Sequence, residues 1–231
     1  MFDAKKLLDQ FLGGTNPDGT PKGVSPDLLK GLAGGAAMGG LAGILLGSKG
    51  GKKLAGKAVK LGGTIALASL AYRAYRQWKS SGDETPPVSG TEPMKDITPS
   101  PEGTAFLPSI PAVRDDLSRS ILVAMIAAAK ADGHVDEDER KRIFGRLGEM
   151  ALEADARLWL IEQLNQPVDI ELVVSGATTP EAAVEIYAAS VLAIDPDEPA
   201  EQAYLATLAT RLGLEPGLKT AIEEETRKAL A

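Results

Sequence analysis

The chain contains no cysteine and one histidine, His134. The first absence excludes disulfides, zinc ribbons and thiol catalysis, and suits a reducing compartment. The second excludes any site that needs two imidazoles. Aromatic residues make up only 4% of the chain against 44% hydrophobic residues, so any core is built from Ala, Leu, Ile and Val. Strand signals are almost missing: "DIELVVSG" is the one candidate, and helix suits its neighbours better. No phosphate loop or dinucleotide fingerprint is present, because the glycine runs near 34–43 neither follow a strand nor open a nucleotide-binding unit. No Ser or Thr has a base arranged by motif. No leader peptide is legible either: the apolar run in "MFDAKKLLDQFLGG" is broken by Asp9 and Gln10, and no small-residue cleavage site follows.

What is present is unevenly spread. The net charge of −7 divides into +8 over residues 1–80 and −15 over the remainder. An asymmetry of this size is a functional hint: the basic end suits anionic lipid or nucleic acid, the acidic end cations or basic partners. The short run "RKR" at 140–142 sits in an otherwise acidic region and is poor support for nucleic-acid binding, so no nucleic-acid partner is expected.

Four parts follow from composition. Residues 1–27 hold a short amphipathic helix (2–12, with Phe2, Leu7, Leu8, Phe11 and Leu12 as its apolar members) and a stretch of turn chemistry. Residues 28–80 are rich in glycine, lysine and apolar side chains. Residues 81–112 carry seven of the 15 prolines and read as a disordered, partly extended linker. Residues 113–231 read as a helical domain. Its first helix lies in "LSRSILVAMIAAAK", and others are expected near 137–150, 154–165, 168–175, 180–193, 199–212 and 216–230. Thr179 followed by Pro180 has the form of an N-cap and N1 proline, and Gly133, Gly148 and Gly213 stand where helices could stop.

The most unusual stretch is "GLAGGAAMGGLAGILLGSKGG", in which Gly31, Gly35, Gly39, Gly43, Gly47 and Gly51 recur every fourth residue. In water such a helix frays, since each glycine weakens it by up to ~1 kcal/mol relative to alanine. In lipid every backbone group must bond internally, and small residues at this spacing let two helices approach closely. The stretch from Leu32 to Gly47 therefore reads as a membrane helix that self-associates through its glycines. Its 16 uncharged residues fall slightly short of the ~20 a span needs. Extension to Pro26 adds Asp27 and Lys30 near the end, where lysine can snorkel. Lys49, Lys52, Lys53, Lys57 and Lys60 follow and could grip anionic headgroups. In the next run, Tyr72, Tyr75 and Trp78 with Arg73, Arg76 and Lys79 resemble an interfacial belt. Insertion takes the form of one span or a re-entrant hairpin, and three other readings compete: a flexible linker, a soluble hairpin folded on the C-terminal domain, and a helix lying on the membrane. Both basic clusters want the cytoplasm, which favours one span followed by a surface-lying basic helix and a cytoplasmic C-terminal domain.

Two acidic segments look alike: "AAAKADGHVDEDERKRIF" and "SVLAIDPDEPAEQAYLATL". Each is an apolar helix, then an aspartate, a turn and a carboxylate-rich helix start. Asp132 aligns with Asp195 and Glu139 with Glu201, the second copy being one residue shorter. Asp132, Asp136, Glu139, Asp195 and Glu201 could coordinate a hard divalent cation. The spacing is not that of an EF-hand. Capping explains the same residues, with Asp136 as N-cap and Glu139 three residues on. His134 reads as an exposed turn residue.

At these residues the chain resembles known families. The segment "GLAGGAAMGGLAGILLGSKGGKKLAGKAVKLGGTIALASLAYRAYRQW" is similar to the N-terminal half of YebE-type bacterial inner-membrane proteins. The segments "AAAKADGHVDEDE" and "AIDPDEPAEQAYLATLATRLGL" resemble the TerB-like domain, named for tellurite-resistance proteins. The resemblance implies an all-helical TerB-like bundle, inner-membrane association and divalent-metal binding at Asp132 and Glu139, with Pro196 and the shorter spacing set against a second site at Asp195 and Glu201. The expectation is therefore an all-α, membrane-tethered, non-enzymatic adaptor or sensor. Its glycine stripe anchors it among membrane lipids, and its acidic domain meets a cation or a protein partner under envelope, tellurite or metal stress. Two rivals are a metal-dependent hydrolase using the Asp132/Glu139 cluster and a purely structural membrane protein.

Overall fold

The computed structural model describes residues 2–12, 63–81, 101–131, 152–194 and 199–230. These form eight helices: α1 (Ala4–Phe11), α2 (Gly63–Ser81), α3 (Pro111–Ala129), α4 (Ala154–Asn165), α5 (Ile170–Ser175), α6 (Pro180–Ala193), α7 (Pro199–Arg211) and α8 (Pro216–Leu230). Among the described residues there is no strand; a lone bridge joins Glu102 to Leu107. The all-α expectation holds. The expected helix at 137–150 and the glycine stripe at 31–51 lie outside the described residues.

The bundle is arranged around α6. Every residue from Ala182 to Ala193 is buried, as expected of a helix that is apolar on all sides. Helix α3 packs along it, α2 and α8 pack on it and on each other, and α7 packs on it and on α3. Helices α4 and α5 lie on α3, and α1 closes the groove between α3 and α2. Local chemistry sets the ends of α6 and α7 as the sequence predicts. The Thr179 hydroxyl accepts from the Ala182 amide at 3.1 Å, with Pro180 next in line. Gly213 adopts φ +67°, which lets the Leu214 amide reach back to the Ala209 carbonyl at 3.0 Å and stop α7.

An isolated helix of eight residues is unstable in water, so α1 depends on what it touches. Phe2, Ala4, Leu7 and Leu8 are buried in the core. Phe2 stacks beside Trp159 with ring centroids 5.2 Å apart, and the Arg119 guanidinium lies 4.6 Å from the Phe2 ring. Orphan amides in the first turn of α1 are met partly from within and partly across the fold. Asp3 accepts from the Lys6 amide at 2.7 Å, while Asp115 on α3 accepts from the Ala4 and Lys5 amides at 2.6 and 3.3 Å. Asp9 does the same for α2: its Oδ1 accepts from the Thr64 amide at 2.9 Å and the Thr64 hydroxyl at 2.5 Å.

The end of α1 therefore meets the start of α2. A Cβ added to Gly63 would fall 2.2 Å from the Leu12 Cβ and 3.1 Å from its Cα, so only glycine permits the approach. Neither obstacle is a flexible side-chain tip, and Gly63→Val is expected to cost about 1–3 kcal/mol through overpacking. Urea unfolding of the full chain measures this; an unchanged midpoint would mean the two helix ends are not held together.

Helix α2 departs from the interfacial-belt reading. Leu67, Ala68, Leu70, Ala71 and Ala74 are core residues, and the aromatic side chains pack against protein. Tyr72 and Tyr75 each lie 5.6 Å from the Phe106 ring, and Trp78 covers Gly217 at the start of α8. Each cation that follows an aromatic is engaged by the fold: Arg73 with Glu225 at 3.1 Å, Arg76 over Tyr72, Lys79 over Tyr75. Aromatic residues at every third position suit a buried seam as well as a membrane interface, and Phe106 decides between them. That residue comes from a stretch the proline count assigns to the linker. Residues 101–110 form a turn in which Phe106 and Leu107 are buried and the Gly103 amide bonds the Leu107 carbonyl at 3.1 Å. Pro111 is the N1 residue of α3, so that helix begins six residues before Leu117.

Among the described residues no helix is long and apolar enough to cross a membrane.

Candidate functional site

Of the five predicted ligands, Asp132, Asp136, Glu139 and Asp195 lie outside the described residues, as does His134. Glu201 stands half-buried in the first turn of α7. Among the described residues no group of three or more His, Cys, Asp or Glu side chains is disposed to hold a metal ion. What the structure defines is the helix end that precedes each acidic segment in the chain: Ala129 for α3 and Ala193 for α6.

The α3 end is tied down by Lys130, the residue that opens the first acidic motif. Its ammonium donates to the Gln163 carbonyl at 3.3 Å and to the Gln166 carbonyl. These carbonyls belong to the last turn of α4 (Gln163) and to its C-cap (Gln166), where backbone acceptors lack intrahelical partners and the helix dipole favours a cation. Lys130 is buried along its stem, so it joins two helix ends while its chain leads into the turn. Sequence reasoning passed over it; the available signal was a single lysine closing an apolar helix before an acidic run. Lys130→Met keeps the stem and removes the charge. It is expected to cost about 1–2 kcal/mol, read as a lower thermal midpoint with little change in helix content.

A second polar feature runs through α6. Glu185 is 1% exposed, and neither carboxylate oxygen has a hydrogen-bond partner. Burial pushes its pKa well above the ordinary carboxylate value, because an apolar surrounding disfavours the charged form. Two residues on, Tyr187 donates to Glu223 on α8 at 2.8 Å. Burial first, and the Glu223 carboxylate second, raise its phenol. Ser190 donates to the Ile186 carbonyl at 2.9 Å. Tyr204 on α7 is also raised by burial, partly offset by the neighbouring Ser190 hydroxyl. An isolated acid in the middle of a 14-residue apolar helix was the signal for Glu185, and it was not read.

Charge compensation at the surface of the bundle is best developed around Glu225. Burial alone would raise this carboxyl, but hydrogen bonds from Lys228 at 2.8 Å and Arg73 at 3.1 Å outweigh it and leave its pKa lowered. The pair links α2 to α8. The described residues thus form a framework of capped helices with a buried acid, Glu185, at its centre.

Residues 31–226 match the family described as a protein of unknown function, DUF533. Among curated proteins, an uncharacterized protein in the ampR 5′ region of Yersinia enterocolitica is 28% identical over 114 residues, which is 49% of this chain and 82% of that protein. No solved structure matches the chain.

Proposed function

The chain belongs to the DUF533 family, and from that premise we propose a membrane-tethered, non-enzymatic adaptor or sensor of the bacterial inner membrane. The finer assignment, a YebE-type protein with a TerB-like helical bundle, rests on the quoted glycine-lysine and acidic segments. One observation carries the reading. The family match begins at residue 31, at the first glycine of the stripe, and runs on through the bundle to 226. The match thus covers both the stripe and the bundle, so that an uncharged, glycine-periodic stretch and five lysines accompany an acidic helical body. Small residues at every fourth position favour helix association in lipid, and the lysines suit anionic headgroups. The stripe is the tether and the self-association element; the bundle, on the cytoplasmic side, meets a protein partner.

The acidic turns give that partner surface its chemistry. Asp132, Asp136, Glu139, Asp195 and Glu201 supply hard oxygen ligands of the kind a divalent cation takes, and cation binding there would give the adaptor its sensing role. Calorimetric titration of the full chain with Ca²⁺, Mg²⁺ and Mn²⁺ is expected to show binding that Asp132→Ala weakens. Heats of dilution alone would remove the cation from the account.

The tether is tested by membrane fractionation at low salt and at alkaline pH. The protein is expected in the membrane pellet under both conditions; recovery in the supernatant under both contradicts the reading. Replacing Gly39 and Gly43 with Ile is expected to weaken oligomers in detergent. Unchanged oligomers would reject the stripe as the packing face.

A further inference from the structure

Two of the large apolar side chains that stand exposed among the described residues open into one concavity. Val168 is 38% and Leu172 47% exposed, and both line an open groove of about 280 Å³ between α3, the end of α4 and the start of α5. Apolar residues scattered singly over a surface are ordinary, whereas two that share a concave site ask for an occupant. Val123, Ile126 and Ala127 of α3 also line the groove, and the last two belong to the core. Its walls are fixed before anything binds. Lys130 ties the α3 end to the Gln163 and Gln166 carbonyls. Asp169 caps α5 by accepting from the Glu171 and Leu172 amides at 2.9 and 3.2 Å, and Val173 holds that helix to the core. A site already in shape spends little binding energy on ordering itself.

We propose that this groove docks a basic segment of a partner protein, which seats one or two apolar side chains on Val123, Val168 and Leu172 and sets lysine or arginine against the rim. The proposal rests on the reading of the bundle as an adaptor and names the class of its partner, at a surface built from residues other than the predicted cation ligands. Charge selects the occupant. Glu162, Asp169 and Glu171 are exposed carboxylates beside the groove. Glu171 pairs with Arg211, while Glu162 and Asp169 form no ion pair among the described residues. The Gln166 side-chain amide comes within 3.5 Å of the Glu162 carboxylate and leaves its charge in place. Lys130 is the one cation among the lining residues, and its ammonium is turned onto backbone carbonyls. The groove thus offers an apolar floor and an anionic rim, which an acidic or wholly apolar segment would leave unmatched. Its open form and small volume also set it apart from cofactor pockets, which enclose roughly 300–1,000 Å³.

The probe is an eight-residue peptide with two adjacent leucines between paired lysines, titrated into the methyl-labelled full chain in a neutral detergent and followed by nuclear magnetic resonance. The methyl signals of Val123, Val168 and Leu172 are expected to shift together. Replacing the peptide's leucines with serine, or its lysines with glutamate, is expected to weaken binding about tenfold or more. Leu172→Gln and Glu162→Gln, both at exposed positions, are expected to weaken it about tenfold and about threefold, with urea midpoints confirming that each variant is folded. Absence of binding, undiminished binding of the serine peptide, or shifts confined to methyls elsewhere would overturn the groove and leave the adaptor reading standing. Shifts of the same methyls with protein concentration alone would assign the groove to a second copy of the chain and overturn the proposal likewise. The adaptor reading fails separately, in the membrane fractionation, whose outcome these titrations do not affect.

Discussion

A fragment comprising residues 113–231 is expected to lose cooperative unfolding, while the full chain retains it. The sequence assigns this fragment the whole helical domain, but the core is not contained in it. Phe2, Leu7 and Leu8 from α1, Leu67 and Leu70 from α2, and Phe106 and Leu107 from the turn before α3 are all buried against the C-terminal helices. Burying a large apolar side chain is worth about 1.5–3 kcal/mol, so seven amount to roughly 10–20 kcal/mol before the entropy of ordering their segments is subtracted. A domain has only about 5–15 kcal/mol of net stability. Even with half of the apolar term offset, the fragment falls to the edge of stability. Far-ultraviolet circular dichroism through a urea titration reads the outcome. A broad transition of low slope is expected for 113–231 and a sharp one for the full chain. Two sharp transitions with equal midpoints would show that the N-terminal helices are ornaments on an autonomous domain.

Substitution of Glu185 by Met is expected to stabilise the protein, increasingly so as pH rises. Burial raises the pKa of this carboxyl well above the usual value of 4.5. Between that value and the raised one, the native state binds one more proton than the unfolded chain. Stability therefore falls with rising pH, by about 1.4 kcal/mol per unit across the window. Glu225 contributes the opposite slope: its lowered pKa means that stability is lost as pH falls through the acidic range. Met at 185 has similar volume, needs no partner and does not titrate, while Glu225 is common to both proteins. The difference between variant and parent thus isolates Glu185. It should be small near pH 4.5 and widen steadily above it. A constant difference, or a Glu185→Met protein less stable at pH 8, would mean that the carboxylate is charged and partnered inside the bundle.

Local chemistry was legible in the sequence. The Thr179–Pro180 start of α6 and the Gly213 stop of α7 follow from capping rules that involve only near neighbours, and α1 is marked by its apolar face. Helix α4 matches its expected limits to the residue, and α6 does likewise. Long-range chemistry was not legible. Nothing local shows that Asp115 caps α1 or that Asp9 caps α2, because both bonds join residues far apart in the chain. The fate of α2 illustrates the limit. An apolar run that ends in aromatic residues at every third position, each followed by a cation, satisfies a membrane surface and a protein core equally, and the choice depends on Phe106, which the proline content had placed in a linker. At the candidate site, Lys130 and Glu185 were hidden for opposite reasons. One looked like an ordinary terminal charge; the other was the one acid beyond the first turn of a helix otherwise fit for full burial. The acidic turns themselves stand beyond the described residues, apart from Glu201.

Amide hydrogen exchange of the full chain tests most directly whether helices from both sides of the glycine-lysine segment complete one core. Amides of Leu8 in α1 and of Leu70, Ala71 and Ala74 in α2 should open with the same free energy as those of Tyr187 to Val191 in α6. Rapid exchange in α1 and α2 beside slow exchange in α6 would contradict the account.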